Sequence, residues 1–255
     1  MSAKAFRDRL QRGETLLGIL QHYPCVAILE TIGCDWDFVW IDAQHGQFSY
    51  ESTLDAVRVA DLLGLETLLR IESRDPDLLG KYADLGSSAL MIPMVDTPED
   101  AEAIVRALRF PPRGFRSFGS RRLADCVGLD YHQAVQPLIF AQIETPEAIE
   151  NAPQIAAVDG VDVLYFSPDD LKIRMQIPIE TATSDSETLL SAMEKIADAA
   201  KQSRKALGAA GVTTPELLGR CIDMGYQVVT GGSDVMFIRR GSARQLELLR
   251  PVADR

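Results

Sequence analysis

Eight short apolar runs recur along the chain, and most are continuous rather than alternating: LLGIL (16–20), DFVWID (37–42), ETLLRI (66–71), ALMIPMV (89–95), PLIFAQIE (137–144), VDVLYFS (161–167), KALGAAGV (205–212) and YQVVTGG (226–232). A strand with one wet face alternates apolar and polar residues, whereas a continuous run belongs to a strand covered on both sides. Helices supply that cover in a parallel sheet. Segments with helical spacing lie between the runs, among them ESTLDAVRVADLLG, TPEDAEAIVRALR, TPEAIENAPQIAAV and SETLLSAMEKIADAAKQSRKALG. A strand–helix unit repeated eight times within 255 residues, without a linker or composition break, predicts an α/β fold of the (β/α)8 TIM-barrel type, a single domain over 1–255. A doubly wound open sheet is the alternative, but no GxGxxG fingerprint follows the first run.

The helix starts carry their own chemistry. Thr97-Pro98-Glu99-Asp100 and Thr145-Pro146-Glu147 place a capping hydroxyl, a first-turn proline and carboxylates where free N–H groups need partners. Gly64, Gly86, Gly160 and Gly225 stand where helices should end ahead of strands.

Charge narrows the partners. Lys and Arg number 26 against 37 Asp and Glu, a net charge of −11, so the surface is not that of a nucleic-acid or anionic-membrane binder. The 4 cysteines, at 25, 34, 126 and 221, have no CxxC spacing, so neither a zinc knuckle nor a redox motif is expected. Scattered thiols suit a reducing compartment. The opening MSAKAFRDRLQRGETLLG has no apolar core of a signal peptide, and no run is long enough to span a bilayer. The expectation is a cytoplasmic protein.

One connection is long. Arg109 to Gln136 joins the fourth helix to the fifth strand and carries Arg109, Arg113, Arg116, Arg121 and Arg122. Such loops are functional or interfacial, and a solvated basic loop or subunit contact is the plain reading.

In a barrel the reactive groups gather at the C-terminal ends of the strands. The polar residues there are Asp42-Ala43-Gln44-His45-Gly46, then Arg70 and Glu72, then Gln142-Ile143-Glu144-Thr145, then Ser167-Pro168-Asp169-Asp170. A carboxylate after a strand is often only a helix cap, and a lone histidine is more often a packing residue than a catalyst. His45, however, has Asp42 three residues earlier, near enough for a turn to set the carboxylate against the imidazole and raise its basicity. The other histidines, His22 and His132, have no comparable neighbour at a strand end, although the place of His22 just after the first strand leaves it able to border the mouth. Arg70 closes an apolar strand, where a guanidinium needs an anion; Glu72 is the ordinary candidate, and a developing oxyanion the functional one. Glu144 and Asp170 offer two hard oxygen ligands suited to Mg²⁺ or Mn²⁺, the remaining positions going to water and substrate. A Schiff-base route needs a lysine in the mouth, and only Lys172 lies near it. Base, cationic clamp and paired carboxylates together suggest enolate chemistry.

With those residues in view, the sequence resembles the HpcH/HpaI aldolase family of metal-dependent pyruvate aldolases. The stretches that carry the resemblance are Trp40-Ile-Asp-Ala-Gln-His-Gly46, Leu69-Arg70, Met91-Ile-Pro-Met-Val95, Phe110-Pro-Pro-Arg-Gly-Phe-Arg-Ser-Phe-Gly119, Gln142-Ile-Glu-Thr145 and Ser167-Pro-Asp-Asp-Leu171. The resemblance implies reversible aldol cleavage of a 4-hydroxy-2-oxo acid to pyruvate and an aldehyde. It implies His45 with Asp42 as the base for the aldol hydroxyl, Arg70 on the keto oxygen of the forming enolate, and Glu144 and Asp170 as ligands of Mg²⁺, Mn²⁺ or Co²⁺. Pyruvate would chelate that metal, with Gln142, Ser167 and backbone N–H groups around Asp169 lining its pocket. It also implies a homo-hexamer in which the last helix, Ser233–Arg250, packs on a neighbouring subunit. Ser167 and Asp169 depart from the small residues usual in the family and add a side chain and a negative charge beside the carboxylate pocket. Three other readings stay open at this point: a CoA-ester lyase of the citrate-lyase group using the arginine loop, a phosphosugar enzyme using the glycines after the last two strands, and a non-enzymatic keto-acid-binding barrel.

Overall fold

The computed structural model describes residues 3–134 and 136–253, so Met1 and Ser2 of the N-terminal stretch and Val135 of the long connection lie outside the described residues. All eight runs are strands: β1 (Leu16–Gln21), β2 (Phe38–Asp42), β3 (Glu66–Arg70), β4 (Ala89–Ile92), β5 (Leu138–Ile143), β6 (Val163–Phe166), β7 (Ala206–Ala209) and β8 (Val228–Ser233). They pair in chain order as a closed barrel, and β8 returns to β1 in parallel, as the alternation of strands and helices predicts. The open-sheet alternative is excluded.

Successive side chains along a strand point to opposite faces. Leu16, Phe38, Trp40, Leu68, Met91, Leu138, Phe140, Val163, Tyr165 and Val228 therefore fill the barrel, and Phe6 and Leu10 of the N-terminal helix Ala3–Gln11 plug its lower end. The Phe6 ring lies 6.1 Å from Phe38 and 5.9 Å from Phe140. The alternate residues, such as Ile19, Val39, Ile41, Leu69, Ile139 and Leu164, face the surrounding helices. Both sets are apolar, which is why the runs read as continuous. The interior also requires small residues: a Cβ at Gly18 would strike the Phe38 ring, and one at Gly208 the Tyr165 ring.

The threonine caps and two of the four glycine caps are present, whereas the helices ahead of Gly86 and Gly160 are already capped by Asp84 and Val158. Thr97 and Thr145 each accept from a backbone N–H three residues on, and Gly64 and Gly225 end their helices at φ 83° and 94°, conformations that favour glycine. Three elements differ from the sequence reading, the last of them the C-terminal helix expected over 233–250. The segment 145–158 is broken at Asn151 into helices Pro146–Glu150 and Ala152–Ala157. The fourth strand stops at Ile92, because Pro93 follows and Met94 adopts φ 55°. The last helix runs Asp234–Ala253.

The long connection holds the lower face of the barrel. Its five arginines are all engaged there. Arg109, 4% exposed, donates to the carbonyls of Pro137 and Gly160 and lies 3.6 Å from Asp162. Arg116 pairs with Asp84 at 2.7 Å, Arg122 with Asp61 and the Leu85 carbonyl, Arg113 with Asp159, and Arg121 with Asp125. Leu85, Pro137 and Gly160 precede β4, β5 and β6, so this loop lies at the end of the barrel opposite the strand C-termini. It cannot serve the mouth of its own barrel as a pyrophosphate clamp or an acidic-substrate clamp. Topology decides the point: a helix-to-strand connection ends where the next strand begins.

Cys25, Cys34 and Cys126 are exposed, while Cys221 is buried and its thiol pushed by burial up to about 12. A thiol reagent such as DTNB should titrate three groups in the native protein and the fourth only after unfolding; four rapid reactions would mean that the helix bearing Cys221 is not packed as described.

Candidate active site

On β2, β3 and β5 the last inward position is where the interior turns polar. On β2 the inward series is Phe38, Trp40, Asp42; on β3 it is Leu68, Arg70; on β5 it is Leu138, Phe140, Gln142. Asp42 and Arg70 are register partners on adjacent strands. Their side chains meet in a two-pronged ion pair, Arg70 Nε to Asp42 Oδ1 at 2.9 Å and Nη2 to Oδ2 at 2.7 Å. The guanidinium also lies over the Trp40 ring, 4.8 Å from its centre. Asp42 Oδ1 accepts further from the backbone N–H groups of Gln44 and His45. Burial pushes the Asp42 carboxyl up, but Arg70 and these N–H groups outweigh it and hold it below the usual carboxylate range.

This corrects two sequence expectations. The Asp42 carboxylate is spent on Arg70 and on the backbone of the following loop, so it orients the loop that carries His45 rather than the His45 ring. Glu72 is not the partner of Arg70; it accepts a 2.6 Å hydrogen bond from the Tyr82 hydroxyl. Among the described residues the His45 imidazole has no hydrogen-bond partner and is exposed at the mouth. Arg70 Nη1 likewise has no protein acceptor among them, which leaves one N–H edge free beside the cavity.

Glu144, 2% exposed, follows β5. Its Oε1 accepts from the Met94 N–H at 2.8 Å and its Oε2 from Gln142 Nε2 at 2.6 Å. Met94 can deliver that N–H because its backbone holds the left-handed φ of 55°, a strained conformation for a side-chain-bearing residue. Burial pushes the Glu144 carboxyl up to about 7, opposed by the Met94 hydrogen bond and reinforced by the negative charges of Asp170 and Asp96. Gln142 Oε1 and Trp40 Nε1 are buried without a protein partner among the described residues. A buried carboxylate on which the charge of Asp170 acts more strongly than that of Arg70, beside an orphaned amide oxygen, has the oxygen chemistry that could hold a hard divalent cation. No group of three or more His, Cys, Asp or Glu side chains fit to hold a metal occurs among the described residues, so water and substrate would have to complete such a site.

These groups border one cavity of about 520 Å³ at the C-terminal ends of the strands, whose walls include His45, Arg70, Ser167, Asp169 and Asp170. Asp42, Gln142 and Glu144 lie behind that wall and reach it through Arg70 and the charge of Asp170. Ser167 caps the start of the helix Pro168–Arg174 without a side-chain capping bond, which leaves its hydroxyl for the cavity. The Asp169 side chain is 76% exposed and its charge is met by Lys172 at 3.3 Å, so the feared repulsion of an anion is reduced. Lys172, 6% exposed, also donates to the Ile179 carbonyl and so ties down the segment 179–184 that forms one wall. Gly211, after β7, and Gly232, within β8, line the cavity near Thr230, whose hydroxyl is 2.6 Å from that of Tyr165.

Sequence reasoning missed Trp40 as the platform for Arg70, Met94 as a donor to Glu144, and Asp96 as a neighbouring charge. It also missed Asp234, whose wholly buried carboxylate faces His22 across the mouth. Asp96 and Met94 both lie just past β4, and Met94 falls in the stretch 89–95 that the sequence reading took as strand, so its position at the mouth was hidden.

Comparison with known proteins places this geometry. A profile described as HpcH/HpaI aldolase/citrate lyase matches residues 20–240. A 4-hydroxy-2-oxovalerate aldolase of Novosphingobium aromaticivorans is 36% identical over 174 residues, 66% of this chain and 66% of that one. A 4-hydroxy-2-oxo-heptane-1,7-dioate aldolase of Klebsiella pneumoniae is 31% identical over 252 residues, 93% of this chain and 91% of that one. Among solved structures, a HpcH/HpaI aldolase/citrate lyase family protein from Burkholderia cenocepacia superposes with a TM-score of 0.87 at 26% identity, covering 96% of this chain and 99% of that chain.

Asp42 and Arg70 are 0% and 9% exposed at their side chains, so truncating one strands the other as a buried charge. Asp42→Ala should lower stability by about 3 kcal/mol, a fall in Tm on the order of 10 °C. Because the folded-state carboxyl is depressed, the pair's contribution is present above the ordinary carboxylate range and lost as pH falls through the depressed value. Thermal melts of wild type and variant at pH 7 that coincide would dismiss this role.

Proposed function

The chain belongs to the HpcH/HpaI aldolase/citrate lyase family, and from that premise we propose that it is a carbon–carbon lyase cleaving 4-hydroxy-2-oxo acids to pyruvate and an aldehyde, and running the reverse condensation. The observation that carries the reading is the convergence of His45, Arg70 and Asp170 on one cavity from three strand ends, with Glu144 of a fourth buried behind its wall in the field of Asp170. Relatives named as 4-hydroxy-2-oxo acid and pyruvate aldolases support it.

A divalent cation, Mg²⁺, Mn²⁺ or Co²⁺, held by Glu144 and Asp170 would supply Lewis-acid polarisation of the keto acid. Everything else falls to the chain. Arg70, fixed by Asp42 and Trp40, presents its free N–H edge to the keto oxygen, where negative charge develops as the C3–C4 bond breaks. Its ion pair with Asp42 sets it before substrate arrives, so little reorganisation is needed during the reaction. The pyruvate carboxylate is received by the Ser167 hydroxyl and the backbone N–H groups at the start of the Pro168–Arg174 helix, beside Asp169, while Gln142, buried behind the pocket wall, acts through its hydrogen bond to Glu144. His45 takes the proton of the C4 hydroxyl, directly or through water. Asp42 acts on it only through the loop backbone.

The finer placement belongs to the same reading. The helix Asp234–Ala253 buries only Asp234 and leaves Ile238, Leu246, Leu248, Leu249 and Val252 more than half exposed, an apolar face that a neighbouring copy would cover. That supports a homo-oligomer, a hexamer by family resemblance, built from single-domain protomers over 1–255. Among the described residues no helix is long and apolar enough to cross a membrane. Four free cysteines support a reducing, cytoplasmic setting.

Deuterium exchange into the pyruvate methyl group, followed by NMR, tests the half-reaction without choosing an aldehyde. Exchange should be absent from chelator-stripped protein, return with Mg²⁺ or Mn²⁺, and disappear in Glu144→Ala. Exchange that ignores chelation and the Glu144 substitution would refute the metal assignment. Retro-aldol turnover of His45→Ala should fall about a hundredfold with exchange kept, and turnover at the wild-type rate would remove His45 from the mechanism. Leu246→Glu with Leu249→Glu should reduce the mass seen by light scattering to smaller species; an unchanged mass would place the subunit contact elsewhere.

A further inference from the structure

The carboxylate–histidine pair that the sequence suggests for His45 exists in this structure, but on another histidine. His22 follows β1 and Asp234 follows β8, and these two strands are neighbours in the barrel. His22 Nδ1 lies 3.2 Å from Asp234 Oδ1. The Asp234 carboxylate is wholly buried and accepts from the backbone N–H groups of His22 at 3.1 Å, Tyr23 at 2.9 Å and Val235 at 2.7 Å. Four donors thus fix its position. Burial pushes the carboxyl up, but His22 and these N–H groups hold it below the usual range, so it stays an anion.

A carboxylate anion only accepts, so the ring nitrogen facing it carries the proton and Nε2 keeps the lone pair. Among the described residues Nε2 has no partner. The side chain is 29% exposed, and that exposure is toward the cavity it lines together with His45. A second opening, about 630 Å³, joins at the same two histidines. His45 has no carboxylate against its ring, so a positive charge formed there is met by solvent. One formed on His22 is met by a buried anion in contact with it.

We propose that His22, oriented by Asp234, is a second base of the aldol step, on which the proton leaving the C4 hydroxyl comes to rest. The proposal rests on the keto-acid aldolase reading above. In cleavage the C4 O–H bond breaks and its proton passes to His22 Nε2, directly or by way of His45. The O–H electron pair forms the aldehyde C=O, the C3–C4 bond breaks, and its pair becomes the C2–C3 double bond of the enolate. His22 then releases its proton to solvent, and C3 takes one from solvent to give the methyl group of pyruvate. No electrons are gained or lost overall. Asp234 does not touch substrate in this scheme; it is a positioning residue that acts through His22.

His22→Ala leaves the backbone donors of Asp234 in place, so the fold is kept and a melting curve checks it. With 4-hydroxy-2-oxovalerate and Mn²⁺, its retro-aldol kcat should fall about a hundredfold with KM within about threefold, while metal-dependent exchange of the pyruvate methyl group continues at the wild-type rate. Added imidazole, which fits the open mouth, should restore part of the lost turnover to His22→Ala. Adding His45→Ala to His22→Ala should cost less than the product of the two single effects, because both act on one proton. Undiminished kcat in His22→Ala would overturn the role. So would a loss of exchange in parallel with kcat and without imidazole rescue, the signature of a structural residue. Wild-type protein that shows no exchange with any metal would overturn the keto-acid reading, and the role of His22 with it, which separates that failure from the others.

Discussion

A carboxylate and a guanidinium facing each other across β2 and β3 set the terms for the whole mouth of this barrel. Arg70 is a permanent cation at the end of an apolar strand, and its desolvation is tolerable only because Asp42 meets it with both oxygens. The same Asp42 gathers the N–H groups of Gln44 and His45, so the β2 loop turns where it does because the arginine pair is there. Trp40, one inward position below, supports the guanidinium and stands edge-on to Tyr165 with ring centres 5.5 Å apart. Tyr165 in turn bonds to Thr230 and the Ala209 carbonyl, which ties β6 to β7 and β8. A chain of contacts thus runs from the packed interior to the reactive rim.

The polar layer works because the apolar layers beneath it do not move. Side chains from alternate strands fill the barrel from Phe6 at the bottom to Trp40 and Tyr165 near the top. On that floor Glu144 is held out of solvent without an ion-pair contact, its two oxygens bound by Met94 and Gln142. Its loss of solvation has already occurred on folding, which raises its carboxyl above the usual range.

Two histidines stand at one mouth, one fixed and one without a partner among the described residues, a difference that a list of strand-end residues does not show. His45 reaches the cavity without an orienting partner, whereas His22 is fixed by a buried carboxylate contributed by the first residue of the C-terminal helix. The C-terminal helix, which exposes apolar residues along its length, therefore begins at a residue that fixes a side chain lining the cavity.

The amino-acid sequence by itself determined the architecture. Eight doubly buried strands alternating with capped helices leave a closed parallel barrel as the arrangement that covers every apolar face, and the strand ends of such a barrel are known before any coordinate is. Hence His45, Arg70, Glu144 and Asp170 were legible as a set: each stands just after, or at the end of, a run of apolar residues. Their partners were not. Which carboxylate meets which cation depends on register and on the inward or outward sense of each strand, and those are fixed by tertiary packing. Asp42 lies three residues from His45 in sequence but directly opposite Arg70 in the sheet. His22 and Asp234 are 212 residues apart and meet because β8 closes against β1. The arginine-rich connection looked like part of a mouth until the chain direction placed it under the barrel. Local chemistry named the groups, and ring closure decided which of them touch.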